Sequence, residues 1–301
     1  MTETGWVERV ANLKVWRQRG ERAPHKPLLL LYALSRLQRT GSSSMTYADA
    51  EGDLDTLLTE FGPPRKTSPS YPFHHLTSDG LWTVATRAGT GSPGDTRKAL
   101  RESQAVGSLA PDFAGAVDKD PVLFASVVKA VLDANFPASL HESILMAIGL
   151  DVDLSEALHR ATTTQTRRRD PAFREMVLTA YEYRCAVCRY DGRVQLQSVG
   201  LEAAHVRWWQ AEGPTEVGNA LALCALHHQL LDRGAIGLTA DHRIQVSSHF
   251  IGQSDAVTAL VALVGHPLLH PQPGQPLPQP SHVSWHAGEV FRSPARVPAG
   301  T

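Results

Sequence analysis

The sequence predicts a two-domain protein of the α+β class, in which a mainly helical α/β domain is followed by a small metal-clamped domain. A chain of 301 residues is long enough for two cores. Apolar residues recur at helical spacing in the first half, whereas all three cysteines lie in the second half. Residues 162–169 lack hydrophobic periodicity. We therefore expect a first domain over residues 1–160, a linker over 161–170, and a second domain over 171–301 with a proline-rich tail.

Composition is that of an ordinary globular chain. The hydrophobic fraction of 42% is a globular value. No apolar run is long enough to span a bilayer, and the first residues lack the basic start and apolar core of a signal peptide. We therefore expect a cytoplasmic protein without a membrane partner. The net charge of −1 argues against a histone-like DNA binder but leaves room for a local basic patch, and the stretch before residue 40 is predominantly basic.

The first half contains five predicted helices. They cover residues 13–19, 26–38, 46–61, 121–132 and 140–148. Residues 62–70 are predicted to be a loop from their proline, serine and glycine content. We expect the aromatic-proline stretch 71–76 to continue that loop, and a turn at Asp79-Gly80 to lead into a strand over residues 82–84.

The second half is predicted to begin with a helix that starts near Pro171 and runs through Phe173, Val177 and Tyr181. Residues 267–280 are rich in proline, so we expect no regular structure there. The apolar residues that follow, at positions 285, 290 and 291, could pack back on the second domain.

Two short motifs in the second half predict a structural zinc site. Cys185 and Cys188 are separated by two residues, and so are Cys224 and His227. Two such pairs, each on a tight turn, supply the four soft ligands of a tetrahedral zinc site. The alternatives are that these residues are simply small and buried, or that the first pair is a redox motif, although nothing around it resembles a thioredoxin unit.

The adjacent histidines His227 and His228 cannot share one ion, because neighbours on a helix point about 100° apart. We assign His227 to zinc because it completes the second pair, and His228 to another site. The reverse assignment stays open.

The residues around these motifs resemble an HNH nuclease. In order, they are Leu201-Glu202-Ala203-Ala204-His205, Gly218-Asn219, and His227-His228 followed by Asp232. The stretch over residues 171–237 is similar to a ββα-metal finger of the type clamped by a zinc knuckle. The resemblance implies a metal-dependent DNA endonuclease.

The resemblance assigns the catalytic roles. His205, at the end of the first strand of the finger, would be the general base, because an ordinary histidine pKa near 6.5 suits that task. Asn219 would open the loop before the helix and orient the base. His228 and Asp232 project from one helix face and would hold a divalent cation, such as Mg²⁺ or Mn²⁺. Many HNH enzymes carry an acid where this chain has Ala204, so we expect Asp232 to supply the carboxylate.

The first half resembles the sulfur-binding domain found fused to HNH nucleases in type IV restriction enzymes. The block Arg22-Ala23-Pro24-His25-Lys26-Pro27 with its following leucines, and the block Tyr71-Pro72-Phe73-His74-His75-Leu76, carry the resemblance, which spans residues 5–155. It implies binding to double-stranded DNA in which sulfur replaces a phosphate oxygen.

An apolar cup gains from covering sulfur, which is less hydrated than oxygen, whereas covering an ordinary phosphate oxygen costs desolvation. Basic residues would hold the flanking phosphates. Two histidines stand where family members often carry an aromatic or small residue. The alternative is a packed loop beside a solvated charged face. The candidate cup residues are Tyr71, Pro72, His74 and His75, and the candidate phosphate contacts are Arg22, Lys26 and Arg97.

Together, the two halves predict a type IV, modification-dependent restriction endonuclease. Because one HNH centre cuts one strand, a double-strand break needs a homodimer or two binding events, and we expect a homodimer. The alternatives are a nuclease that reads a methylated or otherwise modified base, and a zinc-containing DNA-binding protein with a dead centre. The first would need an aromatic cage, in a half that is sparing with aromatics. The second leaves the intact set of His205, Asn219 and His228 unexplained. A secreted nuclease toxin would need a delivery domain, for which the chain has no room.

Overall fold

The computed structural model describes residues 3–14, 21–154 and 171–298. The chain forms two compact units, Met1–Thr166 and Arg167–Thr301. The predicted linker over residues 161–170 lies outside the described residues. Helices and small antiparallel sheets occur in both units, which confirms the α+β prediction. No helix among the described residues is long and apolar enough to cross a membrane.

The first unit is mainly helical, as predicted. Four of the five expected helices are confirmed. The exception is the helix expected over residues 13–19: Leu13 and Lys14 are not helical, and residues 15–20 lie outside the described part of the chain. The first helix lies earlier, where Trp6 and Val10 are buried on one face. The helices are α1 Glu3–Ala11, α2 His25–Thr40, α3 Tyr47–Phe61, α4 Ser70–His75, α5 Arg97–Glu102, α6 Pro111–Lys119, α7 Pro121–Asn135 and α8 Ala138–Ile148.

Helix α2 runs through the core of this unit. Its run of four leucines is completely buried, which is typical of a helix that is packed on all sides. The helix ends at Gly41, whose positive φ of 69° allows the left-handed conformation that terminates helices. Helix α3 begins at a cap in which the Thr46 side chain accepts a hydrogen bond from the Asp49 backbone N–H.

A four-stranded antiparallel sheet packs beside these helices in the order β1-β4-β2-β3. Strand β2 contains the strand expected over residues 82–84. A glycine is required at position 107, because a Cβ atom there would lie 2.1 Å from the Trp82 ring. The strands are β1 Met45–Thr46, β2 Trp82–Thr86, β3 Gly89–Thr90 and β4 Val106–Leu109.

The stretch expected to be a loop over residues 71–76 is mostly helix α4, so this expectation was wrong. Pro72 lies in the first turn, where its missing N–H costs no helical hydrogen bond. Phe73 is completely buried and contacts the rings of Tyr47 and Trp82 edge-on. The Trp82 Nε1–H donates to the Phe73 carbonyl at 3.0 Å. This packing fixes the helix in a segment whose composition favours a loop.

The second unit contains a ββα arrangement. Strands β7 and β8 form an antiparallel hairpin in register from Leu201 opposite Cys224 to His205 opposite Ala220, and α10 follows β8 directly. The predicted helix near Pro171 is α9. The elements are α9 Pro171–Ala180, β5 Arg193–Val194, β6 Gln197–Ser198, β7 Leu201–His205, β8 Ala220–Cys224, α10 Ala225–Asp232, β9 Ile236–Leu238, β10 Ile244–Val246, α11 Asp255–Val261 and α12 Pro280–Glu289.

The C-terminal segment packs on this unit, as expected. Residues 267–279 contain no helix and no strand, apart from an isolated β-bridge between Pro267 and Arg243. Val283 on α12 belongs to the core of the unit, and Phe291 is buried. A Cβ atom at Gly237 would lie 2.7 Å from the Phe291 ring, so the glycine makes room for it.

Candidate functional site

The structure brings the four predicted zinc ligands together. One ligand atom from each of Cys185, Cys188, Cys224 and His227 lies within 4.8 Å of all the others. The Nδ1 atom of His227 is 3.6 Å from the Sγ atom of Cys185 and 3.1 Å from that of Cys224. Three thiols and one imidazole at this spacing form a donor set that suits a tetrahedral metal ion.

Three elements position this cluster. Cys185 and Cys188 lie on a turn closed by the Arg189 N–H, which donates to the Cys185 carbonyl at 2.8 Å. The turn is tied to β8 because the Ala186 N–H donates to the Ala222 carbonyl at 2.7 Å. Cys224 ends β8, and His227 follows in the first turn of α10. The Cys185, Cys188, Cys224 and His227 cluster therefore lies where the hairpin meets the helix.

Electrostatics in the cluster favour a thiolate at Cys185 and a protonated ring at His227, whereas hydrogen bonds with Cys185 and Cys224 raise the pKa of the Cys188 thiol. Hydrogen bonds from Cys188 and then Cys224 lower the pKa of the Cys185 thiol despite its burial. Burial lowers the pKa of His227, but its hydrogen bonds with Cys185 and Cys224 outweigh burial and raise that pKa to about 9. A metal ion binds the thiolate and the neutral imidazole, so it would take the place of the proton that the His227 ring otherwise carries.

His205 and Asn219 lie at the end of the hairpin where the loop connects β7 to β8. The His205 ring stacks on Phe173 of α9, with the ring centroids 4.3 Å apart. Asn219 is completely buried. Its Oδ1 accepts from the Arg207 N–H at 2.8 Å, and its Nδ2 donates to the carbonyls of Arg207 and Pro214, both at 2.9 Å. Asn219 thus holds the loop that begins immediately after His205.

The position of Asn219 differs from the expectation in one respect. It does not open a loop before the helix. It is the last residue of the loop between β7 and β8, and α10 begins only after β8. The Val206 N–H donates to the Asn219 carbonyl at 2.9 Å, which closes the base of this loop.

His228 and Asp232 lie together on α10, as the spacing predicted. The Nε2 atom of His228 is 3.2 Å from an Asp232 carboxylate oxygen, and the Asp232 side chain is only 2% exposed. A third group joins them: the His228 Nδ1–H donates to the Glu202 carboxylate at 2.6 Å. Burial lowers the pKa of His228, but the charge of Asp232 and the hydrogen bonds to both carboxylates raise it to about 10.

Sequence reasoning missed Glu202. The hydrogen bond with His228 lowers the pKa of its carboxyl. A signal was present in the strand pattern, because residues 202 and 204 share a face of β7. The carboxylate that Ala204 lacks is therefore available two residues earlier on the same face.

The candidate cup residues lie on or beside the surface of α4. Tyr71 is 51% exposed, and its ring stacks on that of His75 at 5.6 Å. His75 is 3.4 Å from an Asp95 carboxylate oxygen. His74 shares a hydrogen bond of 2.7 Å with the Ser92 hydroxyl, and burial lowers its pKa. Pro72 is buried, so Tyr71 and the two histidines provide the accessible part of this surface.

The three candidate phosphate contacts hold internal partners. Arg22 is buried and donates to the Phe61 carbonyl at 2.9 Å. The Lys26 ammonium lies 2.7 Å from the buried Asp79 carboxylate. Arg97 is one-third exposed and pairs with Glu51 and Asp55 at 3.1 and 2.9 Å. Of the three, only Arg97 presents much of its side chain to solvent.

Comparisons with known proteins match each half separately. The family model of the ScoMcrA-like DNA sulfur-binding domain matches residues 3–153, and that of an HNH endonuclease matches residues 185–239. No curated protein matches the chain.

Several solved structures are similar to about half of this chain. The sulfur-binding domain of SprMcrA complexed with phosphorothioated DNA is 27% identical, with a TM-score of 0.44, over 52% of this chain and 97% of that one. The corresponding ScoMcrA domain complex is 23% identical, with a TM-score of 0.40, over 48% and 94%. The type IV phosphorothioation-dependent restriction endonuclease ScoMcrA is 22% identical, with a TM-score of 0.37, over 48% of this chain and 28% of that one.

Proposed function

The chain belongs to the ScoMcrA-like DNA sulfur-binding domain family and carries an HNH endonuclease domain, and on that premise we propose that it is a type IV restriction endonuclease. It would bind phosphorothioated double-stranded DNA with its first unit and hydrolyse nearby phosphodiester bonds with its second. The observation that carries the proposal is the presence of both domains in one chain, the first over residues 3–153 and the second over 185–239.

In the nuclease half, we assign each residue one task. His205 accepts a proton from the attacking water, and Asn219 keeps the loop beside it in place. His228 and Asp232 hold a divalent cation such as Mg²⁺ or Mn²⁺, which supplies positive charge for the phosphate and the leaving 3′ oxygen. The Cys185, Cys188, Cys224 and His227 cluster holds structural Zn²⁺, which the three-sulfur, one-nitrogen donor set favours over Mg²⁺.

In the reading half, we assign sulfur contact to the surface formed by Tyr71, His74 and His75, with Pro72 supporting it from below. The half-exposed Tyr71 ring offers rigid apolar surface, on which sulfur is favoured over oxygen. Arg97 is the best placed of the three basic candidates for a flanking phosphate, whereas Arg22 and Lys26 would have to exchange internal partners. Tyr71 is the one strongly exposed aromatic in the described part of this unit, which argues against a cage for a flipped base.

The proposal includes a homodimer, because a double-strand break needs two HNH centres. We also propose a reducing compartment such as the cytoplasm, since the three cysteines are free thiols gathered at one predicted metal cluster.

Cleavage of two matched DNA duplexes tests the function. One duplex carries phosphorothioate linkages and the other has the same sequence without sulfur. With a divalent cation present, we expect cleavage of the sulfur-containing duplex only. The control is His205→Ala, which should cut at least about 100-fold more slowly yet still bind, because loss of a general base costs roughly 10²- to 10⁴-fold in rate. Equal cleavage of both duplexes would contradict the proposal.

A further inference from the structure

We propose that Glu202 is a positioning residue of the nuclease centre. Its carboxylate holds the Nδ1–H of His228 and so directs the other ring nitrogen, Nε2, toward the cation site shared with Asp232. The inference rests on the proposed function in one respect, namely that His228 and Asp232 bind a divalent cation.

The geometry assigns the two nitrogens of His228 to different partners. Nδ1 lies 2.6 Å from Glu202 Oε2, and Nε2 lies 3.2 Å from Asp232 Oδ2. The two nitrogens of an imidazole ring point in different directions, so they cannot both bind one ion. Because Nδ1 donates to Glu202, Nε2, which faces the proposed ligand Asp232, is the nitrogen that would bind the cation.

The separation between Nε2 and the Asp232 oxygen suits two ligands of one cation. Neighbouring ligands at about 2.1 Å in an octahedral site are about 3 Å apart. The observed 3.2 Å is close to that value. Both atoms could therefore bind one cation with little change in the distance between His228 Nε2 and the Asp232 oxygen. The Glu202 hydrogen bond is what fixes the ring orientation for this.

The exposure of the two carboxylates agrees with their different roles, Asp232 as a metal ligand and Glu202 as a positioning residue. The Asp232 side chain is 2% exposed, whereas that of Glu202 is 49% exposed. Histidines that bind metal commonly donate their other ring N–H to a carboxylate, which fixes the tautomer and makes the ligand more basic. Glu202 lies on β7 and His228 on α10, so the hydrogen bond also orients the helix side chain from the strand.

Binding of Mn²⁺ to the full-length, zinc-loaded protein tests the proposal. Titration followed by electron paramagnetic resonance measures the affinity without any DNA cleavage. We expect Glu202→Ala to weaken Mn²⁺ binding by about 10- to 100-fold, the usual cost of losing such a partner. Glu202→Gln should restore much of the loss, because the amide oxygen still accepts the Nδ1–H. Asp232→Asn, which alters a proposed ligand, should weaken binding further.

A second measurement does not depend on any variant. Long-range ¹H–¹⁵N spectra of the wild-type chain with Mg²⁺ should show the proton of His228 on Nδ1. A proton on Nε2 would overturn the assignment of the ring. A merely structural ion pair would lower the melting temperature of Glu202→Ala but leave the Mn²⁺ affinity of the folded variant unchanged.

The outcomes separate this inference from the proposed function. Unchanged Mn²⁺ affinity in folded Glu202→Ala, with loss of affinity in Asp232→Asn, would refute the role of Glu202 and leave the cation site in place. Absence of saturable Mn²⁺ binding in the wild-type protein would refute both.

Discussion

His25 and His228 show how surroundings decide the charge of one residue type. Burial, followed by the charges of Arg65 and Arg22, lowers the pKa of His25 to about 4. His228 is also desolvated, but two carboxylates flank its ring and raise its pKa to about 10. Near neutral pH, His25 is therefore neutral and His228 is charged when no metal is bound.

The lowered pKa of His25 predicts a loss of stability in acid. The unfolded chain takes up its proton near pH 6.5, whereas the folded chain resists it until about pH 4. Between these values the unfolded state binds more protons, so the free energy of unfolding falls as the pH falls. The full shift of the His25 pKa corresponds to a loss of up to roughly 3 kcal/mol in the free energy of unfolding.

Urea unfolding of the wild type and His25→Gln, near pH 7 and near pH 5, checks this prediction. The variant keeps a polar side chain near Thr67, with which His25 shares a hydrogen bond, but has no group that titrates in this range. We expect a smaller loss of stability between the two pH values in the variant. An identical loss in both proteins would mean that His25 does not contribute.

The elements depend on a few close contacts that are visible only in three dimensions. Gly107 lies on β4, and Gly115 lies on α6. A Cβ atom at position 107 would meet the Trp82 ring at 2.1 Å and the Phe73 ring at 2.7 Å, whereas one at position 115 would meet nothing within 4 Å. The same substitution therefore has opposite consequences at the two positions.

We predict that Gly107→Ala destabilises the first unit by at least about 1–3 kcal/mol, because overpacking forces the aromatic rings to move. Gly115→Ala is the matched control. It should stabilise the protein by about 0.5–1 kcal/mol, because alanine favours a helix over glycine. Chemical denaturation of both variants measures the difference. Equal effects on stability would contradict the packing around Trp82.

The proposed zinc cluster joins the turn at Cys185 to strand β8 and helix α10. We predict that Cys185→Ser releases the metal ion and unfolds the second unit at moderate temperature, because such a finger draws much of its folding free energy from the ion. Elemental analysis and calorimetry check this prediction. The internal control is the melting transition of the first unit, which contains no cysteine and should not change. Full metal content with an unchanged melting profile would show that these cysteines are only buried.

At the scale of the whole molecule, the chain joins a sulfur-binding domain to an HNH endonuclease domain. The family matches confirm both resemblances that the sequence suggested, to a sulfur-binding domain and to an HNH endonuclease. Discrimination and cleavage should therefore respond to different substitutions. Basic side chains bind the phosphates of any duplex in a salt-dependent way. Only an apolar contact can distinguish sulfur from oxygen at one phosphate.

We predict that Tyr71→Ala abolishes the preference for phosphorothioate DNA but retains weak, salt-sensitive binding. The measurement is a titration with both duplexes at one salt concentration, in a His205→Ala background that prevents cleavage. Met146→Ala is the control, since Met146 is also exposed and apolar but lies on α8. A preserved preference in the Tyr71 variant would remove this residue from the sulfur contact.

Local patterns in the sequence were enough to predict four helices of the first unit and to select the four residues of the cysteine–histidine cluster. A helix requires only apolar residues at a period of 3.6, and a zinc site only ligand pairs at short spacing. The helices α2, α3, α7 and α8 depend on such short-range information, and so does each ligand pair, Cys185 with Cys188 and Cys224 with His227.

The tertiary structure alone decided which distant residues meet. Glu202 contacts His228 across 26 positions, and Lys26 contacts Asp79 across 53. Helix α4 forms where Phe73 packs between Tyr47 and Trp82, although the composition of this segment favours a loop. The physical reason is that the spacing of residues in the sequence determines helical periodicity and the geometry of a ligand pair only over a few residues. Contacts between residues far apart in the sequence depend on which faces of the helices and strands pack together.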